Sequence, residues 1–473
     1  MRLSRTAAQH PHGKMNVGDV PVMNYGTARA AITGLALALG LASAPQSATA
    51  LETASDDDGI HLGVTSCAST SCHAAASPVT GSSIRHDEYL VWSQESDAHR
   101  IDKHHRAYIV LLGDQGVRIA HNLGLPDAVT ADACLNCHTD NVPEARRGPQ
   151  FKIVDGVGCE TCHGGAMRWL GTHLIGAGHQ ANLAAGLYPT DEPIARAQRC
   201  LSCHLGDDKR VMTHEIMGAG HPRLSFELDT FTALEPAHYV VNRSYIERKG
   251  LVSGAKFWAV GQAVSLVKLM DRMIDPQNAP KGATLDLMLF DCEACHHGVR
   301  HLRETLLPVH DPGALRLNEA NAVMLQVIAT RVAPTAAMAL ASHTEALNRV
   351  TGEGWDAVRR EARELRSIAK ELIPVLAARE FTREDIEAMV AGVSDIPRAH
   401  GTLGYGVAEQ SVLALEACIA AQRSAGYVSE DLIPAIDHSL DEVYQSLGNG
   451  DAYRPSAFVK AIEDVRKSIV PNE

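Results

Sequence analysis

Five times in this chain a pair of cysteines is followed at once by a histidine. Four of the pairs share one spacing: Cys134-Leu-Asn-Cys137-His138, Cys159-Glu-Thr-Cys162-His163, Cys200-Leu-Ser-Cys203-His204 and Cys292-Glu-Ala-Cys295-His296. The remaining pair, first in chain order, is wider: Cys67-Ala-Ser-Thr-Ser-Cys72-His73. Together they use ten of the eleven cysteines. C-x-x-C-H is the pattern at which haem c is attached. Two thiols add to the two vinyl groups of one haem, and the next histidine reaches the iron as proximal ligand. The four residues between Cys67 and Cys72 can loop out while the thiols keep their reach, so this pair reads as a fifth site. Zinc does not account for the set, because zinc sites combine two such cysteine pairs or add spaced histidines. They do not demand a histidine after every second cysteine.

Composition agrees. The chain has 473 residues, 45% of them apolar, and a formal net charge of −13, the balance of a soluble globular protein. A nucleic-acid binder would need a basic stripe. Aromatic residues reach only 4% while histidines number 24, so the core lacks its usual large fillers and is rich in ligands. A bound aromatic cofactor held by His and Cys explains both. The predicted cofactor is haem c, about five copies, covalently attached.

The N-terminus reads as an address. Residues 30–44 are an apolar run preceded by Arg29, and Ala48-Thr49-Ala50 fits a cleavage site. The run is shorter than the ~18–20 residues of a membrane span. Residues 1–50 are therefore expected to be a signal peptide, with Met15 or Met23 as an alternative start. The mature chain is expected in the periplasm with no membrane span. Export usually directs cysteines to disulfides, but here their spacing argues for haem. Cys418 stands alone in Ala/Leu-rich sequence and reads as a buried, inert residue.

The third and fourth motifs repeat one another, and the repeat supplies candidates for the second axial ligand. In each copy a histidine follows the proximal one by ten residues, His173 after His163 and His214 after His204. In each copy Gly-Ala-Gly-His then follows, ending at His179 and at His221. The stretch from Glu88 to Tyr108 offers His99, His104 and His105, with His99 favoured, then His105. His86 and His238 are further candidates. Bis-histidine iron leaves no open position and suits electron transfer. Met167, Met212 and Met217 read as packing residues.

Taken together, CASTSCH at 67–73, EYLVW at 88–92, CLNCH at 134–138, DGVGCETCHGGA at 155–166, CLSCH at 200–204 and GAGHPRLSFELDTF at 218–231 resemble the cytochrome c-554 family of periplasmic multihaem cytochromes. The resemblance covers roughly residues 60–310. It implies haems stacked in closely spaced pairs, mostly bis-histidine iron, and electron carriage, in some members away from a hydroxylamine oxidoreductase. One haem in the family can be five-coordinate. This chain departs from the best-known member in having five sites rather than four and a long C-terminal extension. It has no C-x-x-C-K motif, so the lysine ligand of pentahaem nitrite reductases is absent.

The expected fold is mainly α. A multihaem cytochrome c domain of short helices and long loops around stacked haems spans 51–312, and a haem-free helical bundle spans 313–473. Residues 253–274 read as an amphipathic helix. Beyond Pro312, helices are expected near 318–333, 335–350, 382–392, 403–424, 429–447 and 455–470. Another starts at Trp355, with Val358, Ala362, Leu365, Ala369 and Leu372 at helical spacing. Pro374 is expected to kink or end it. Ser429 and Gly448 are expected to start and stop the penultimate helix. The functional expectation is a periplasmic electron carrier. The alternative is an oxidoreductase acting on a small nitrogen or sulfur compound at one open haem. The acidic balance implies redox partners with a basic docking face, and the C-terminal helices offer a surface for oligomerisation.

Overall fold

The protein is described here from a computed structural model covering residues 59–95, 101–250, 252–278, 286–291, 316–400, 403–448 and 453–469. The chain is mainly helical, and among the described residues no β-strand occurs. Isolated bridges stitch distant loops together, His61 with Arg147, Ile84 with Tyr239 and Thr213 with Asp286.

The cysteine-rich part is built from short helices. They are α1 (Glu88–Ser93), α2 (Asp114–Asn122), α3 (Asp132–His138), α4 (Cys159–His163), α5 (Leu170–Leu174), α6 (His179–Ala184), α7 (Pro193–His204), α8 (His214–Gly218), α9 (Leu228–Leu234) and α10 (Arg243–Lys249). The longest, α7, has 12 residues, and isolated helices of this length are marginal in water, so these turns depend on packing and caps. Thr213 caps α8 by accepting from the Ile216 N–H at 3.2 Å, and Asn242 caps α10 by accepting from the Tyr245 N–H at 3.0 Å. Pro193 opens α7, where its missing N–H costs nothing.

Longer helices follow: α11 (Gly254–Ile274), α12 (Ala320–Val332), α13 (Pro334–Arg349), α14 (Trp355–Ala378), α15 (Arg383–His400), α16 (Tyr405–Ser424), α17 (Ile433–Leu447) and α18 (Pro455–Ile469). The expected amphipathic helix at 253–274 is present as α11, but it is not two-faced. It is buried on nearly every side, Trp258, Ala259, Val260 and Leu269 completely, because α7, α9, α12, α14 and α16 surround it. A helix that is apolar all round is a core helix. Its polar positions are paired: the buried Arg272 bonds the Leu205 carbonyl at 3.1 Å and forms an ion pair with Asp286. Gly261 lets α11 approach α9, since a Cβ there would lie 2.8 Å from the Leu228 Cβ.

Several helix ends differ from expectation. α14 does not stop at Pro374 but runs through it to Ala378. Pro374 sits on the exposed face, where water can take the carbonyl that the proline leaves unpaired. The helix expected at 382–392 continues to His400 with Pro397 inside it. Ser429 does not cap α17, which begins at Ile433, because its hydroxyl bonds Asp431 instead. Gly448 does end α17, with φ of 59°.

Candidate haem sites

Three of the described motifs lie on helices, and helical geometry explains their spacing. Cysteines three apart share one face, and the histidine four beyond the first cysteine joins them. The motif at 134–138 ends α3, that at 159–163 forms α4, and that at 200–204 ends α7. The wider first motif cannot use this geometry. Its chain turns instead, with the Cys72 and Ala74 N–H groups both donating to the Ser69 carbonyl at 3.0 and 2.9 Å. Cys292, Cys295 and His296 lie outside the described residues, as does His99.

Each of the four described histidines that close a cysteine motif faces a second histidine ring. His138 and His221 have centroids 6.3 Å apart, His163 and His238 6.4 Å, and His104 and His204 6.2 Å. His73 has two such neighbours, His86 at 6.3 Å and His173 at 5.9 Å. These spacings fit an iron between the rings. Two metal–nitrogen bonds of about 2 Å, plus two half-ring widths, place the centroids about 6.3 Å apart. On its other side His204 has an aromatic neighbour, Phe226, stacked at 4.6 Å.

The outer nitrogens are held as metal-binding imidazoles are held, by a carboxylate or a carbonyl that fixes the ring. Nδ1 of His138 bonds the Ala107 carbonyl at 2.7 Å, and Nδ1 of His221 bonds that of Pro222 at 2.7 Å. His86 uses the Cys72 carbonyl at 2.7 Å. His73 and His104 use carboxylates, Glu88 and Asp102, each at 3.1 Å. Every one of these bonds leaves Nε2 for the neighbouring site. Burial pushes His163 down to about 3 and His204 down to about 4, which keeps both imidazoles neutral. A metal requires the neutral form. The Glu88 bond raises His73 above its ordinary value.

Thiols of different motifs act on one another: Cys159 lowers the Cys67 thiol, Cys203 raises that of Cys137, and the charge of Cys200 adds to the burial that raises Cys162. Cys418 is fully buried in α16, where burial pushes its thiol up.

Other candidates stand elsewhere. His105 packs edge-on against Trp92 at 4.3 Å rather than against a proximal histidine. His179 gives its Nε2 to Asp191 at 2.9 Å. His214 begins α8. Sequence reasoning ranked His104 behind His99 and His105, and it missed Glu88 and Asp102. The signal for His104 was Asp102 two residues upstream, whose carboxylate bonds both the His104 N–H at 2.8 Å and its ring. Gly156 secures this turn. With φ of +73°, it lies where an added Cβ would come within 2.9 Å of the His104 carbonyl. A cavity of about 740 Å³ is lined by Asp271, Ile274, Arg363, Arg366, Ser367, Lys370 and Glu371, none of which belongs to a cysteine–histidine motif.

The family described as cytochrome c554 and c-prime matches residues 66–164. That segment starts just before Cys67 and ends just after His163, so it takes in the first three motifs. The resemblance supports a c-type multihaem cytochrome of electron transfer with covalently bound haem c. No curated protein and no solved structure matches the chain. Among the described residues no helix is long and apolar enough to cross a membrane.

Proposed function

We propose that this chain is an exported, periplasmic electron carrier with five haem c groups, their irons mostly bis-histidine. The observation that carries the reading is the set of histidine rings facing each proximal histidine at 5.9–6.4 Å. Haem c, when bound, supplies a one-electron iron couple at each site.

The protein's own residues do the rest. Cysteines of each motif would tether the ring, and His73, His138, His163, His204 and His296 would each hold one iron. His221, His238 and His104, facing His138, His163 and His204, would supply the second imidazole to those irons. His173 and His86 compete for the position opposite His73, and single substitutions decide between them. The influence of Cys159 on Cys67, of Cys200 on Cys162 and of Cys203 on Cys137, with the Cys203 Sγ 3.9 Å from the Asn136 carbonyl, supports a row of sites in the order first, third, fourth, second motif. Sites ordered in such a row would pass electrons from one to the next without a mobile carrier.

The organisation proposed is a signal peptide at 1–50, a haem-carrying part at 51–312 and a haem-free bundle at 313–473, with α11 packed among helices of both. The net charge of −13 favours redox partners with a basic face and an association that weakens with salt. The bundle offers a surface for self-association.

The reading is tested by producing the full chain with haem c maturation and measuring mass and haem content. Five haems per chain and an N-terminus near Leu51 are expected. A chain without covalent haem overturns the reading.

A further inference from the structure

The first-, second- and fourth-motif sites differ in what holds the outer nitrogen of their histidines. At the second-motif site both partners are neutral: His138 rests on the Ala107 carbonyl and His221 on the Pro222 carbonyl, each at 2.7 Å. At the first-motif site His73 rests on the Glu88 carboxylate at 3.1 Å. Glu88 is itself fixed, because its other oxygen accepts from the Arg85 and His86 N–H groups, both at 3.0 Å. At the fourth-motif site His104 rests on Asp102, a carboxylate only 5% exposed. Glu235 adds a second negative charge there, with one oxygen within 4.8 Å of ligand atoms of both Asp102 and His104.

A carboxylate does two things that a carbonyl does not. It draws the N–H proton more strongly, making the imidazole a better donor to ferric iron. It also places a full negative charge near a centre that gains positive charge on oxidation, in surroundings of low dielectric. Both effects favour the oxidised state and act in the same direction.

We infer that Glu88 and Asp102 set a redox gradient, holding the first- and fourth-motif haems at lower potential than the second-motif haem between His138 and His221. The inference rests on the electron-carrier reading and adds a direction to it. Of these three sites the second-motif haem, at the highest potential, is the acceptor. Glu88 and Asp102 are positioning residues, acting on iron only through histidine.

The test is a spectroelectrochemical titration of the haem-loaded full chain and of its E88Q and D102N variants. Each variant keeps a hydrogen-bond acceptor and removes the charge. Each is expected to move one redox component upward by about tenfold in the oxidised-to-reduced ratio, ~59 mV for one electron. E88D and D102E keep the charge and should restore the wild-type position. The two sites are independent, so a variant that fails to load haem leaves the other to decide. Titrations that coincide with wild type, in chains shown by haem content and absorption to be loaded and low-spin, overturn the gradient while leaving the carrier reading intact. Chains that bind no haem overturn the carrier reading itself.

Discussion

Gln410 donates its side-chain amide to the Phe226 carbonyl at 3.1 Å, tying α16 to the residue whose ring stacks on His204. The tie continues inward. Gln410 accepts from Gln262 at 3.0 Å, and Gln262 accepts from Asn321 at 2.7 Å, so one buried amide chain joins α12, α11, α16 and the loop beside a proximal histidine. The long helices thus hold the fourth-motif site from behind.

Q410A removes the centre of that chain and leaves the Phe226 carbonyl and the Gln262 amide without this partner. Unmade buried hydrogen bonds cost about 1–3 kcal/mol each. Denaturant unfolding of the haem-loaded protein should show a loss of at least that size. An unchanged midpoint would mean that water replaces the amide freely.

Axial assignments predict opposite results for two histidines of the internal repeat. H221A should open the second-motif iron, producing a high-spin signal and carbon monoxide binding in the reduced protein. H179A should leave the spectrum low-spin, because the His179 Nε2 already bonds Asp191 at 2.9 Å. Absorption spectra with and without carbon monoxide separate the two cases.

At Gly261, α9 and α11 come together closely. A methyl group there would meet the Leu228 Cβ at 2.8 Å. G261A gains roughly 1 kcal/mol of helix propensity but incurs overpacking of about 1–3 kcal/mol. The expected outcome is net destabilisation, seen as a lower Tm. A higher Tm would show that the two helices can part without loss.

Glu227 caps α9 while almost wholly buried, accepting from the Asp229 and Thr230 N–H groups at 2.8 and 2.7 Å. Burial, then the charge of Asp229, pushes its carboxyl up to about 8, against the pull of those N–H donors. Burial likewise raises Asp229 to about 6. The folded state therefore holds these protons more tightly than the unfolded chain. The Glu227 contribution to stability falls as pH rises from about 4.5, the ordinary value for a glutamic acid, to about 8, and is level above that. E227Q should flatten this part of the Tm-against-pH curve and gain most over wild type near pH 8. Parallel curves for the two proteins would contradict the shift.

Much of this molecule is visible in its sequence for physical reasons. C-x-x-C-H spacing puts two thiols and an imidazole on one helical face, and Cys134, Cys137 and His138 lie at the end of α3. The face of α14 was likewise readable, since Val358, Ala362, Leu365, Ala369 and Leu372 recur at helical spacing and are buried. Pairing between histidines was not readable. His138 and His221 lie 83 residues apart, and which ring reaches which depends on loops that local patterns do not encode. His104 shows the difficulty at short range: its neighbour His105 has the same chemistry but packs on Trp92 instead. α11 misled for another reason. Its buried Lys256, Gln262 and Arg272 look like a solvent face until their partners Glu380, Gln410 and Asp286 are seen.

The most direct test of the account is the EPR spectrum of the oxidised, haem-loaded protein, followed by carbon monoxide addition to the reduced form. The account predicts low-spin signals at the four described sites and no carbon monoxide response from them in wild type. A high-spin signal with carbon monoxide binding that H221A, H238A and H104A each leave unchanged would contradict histidine pairing as the basis of these sites.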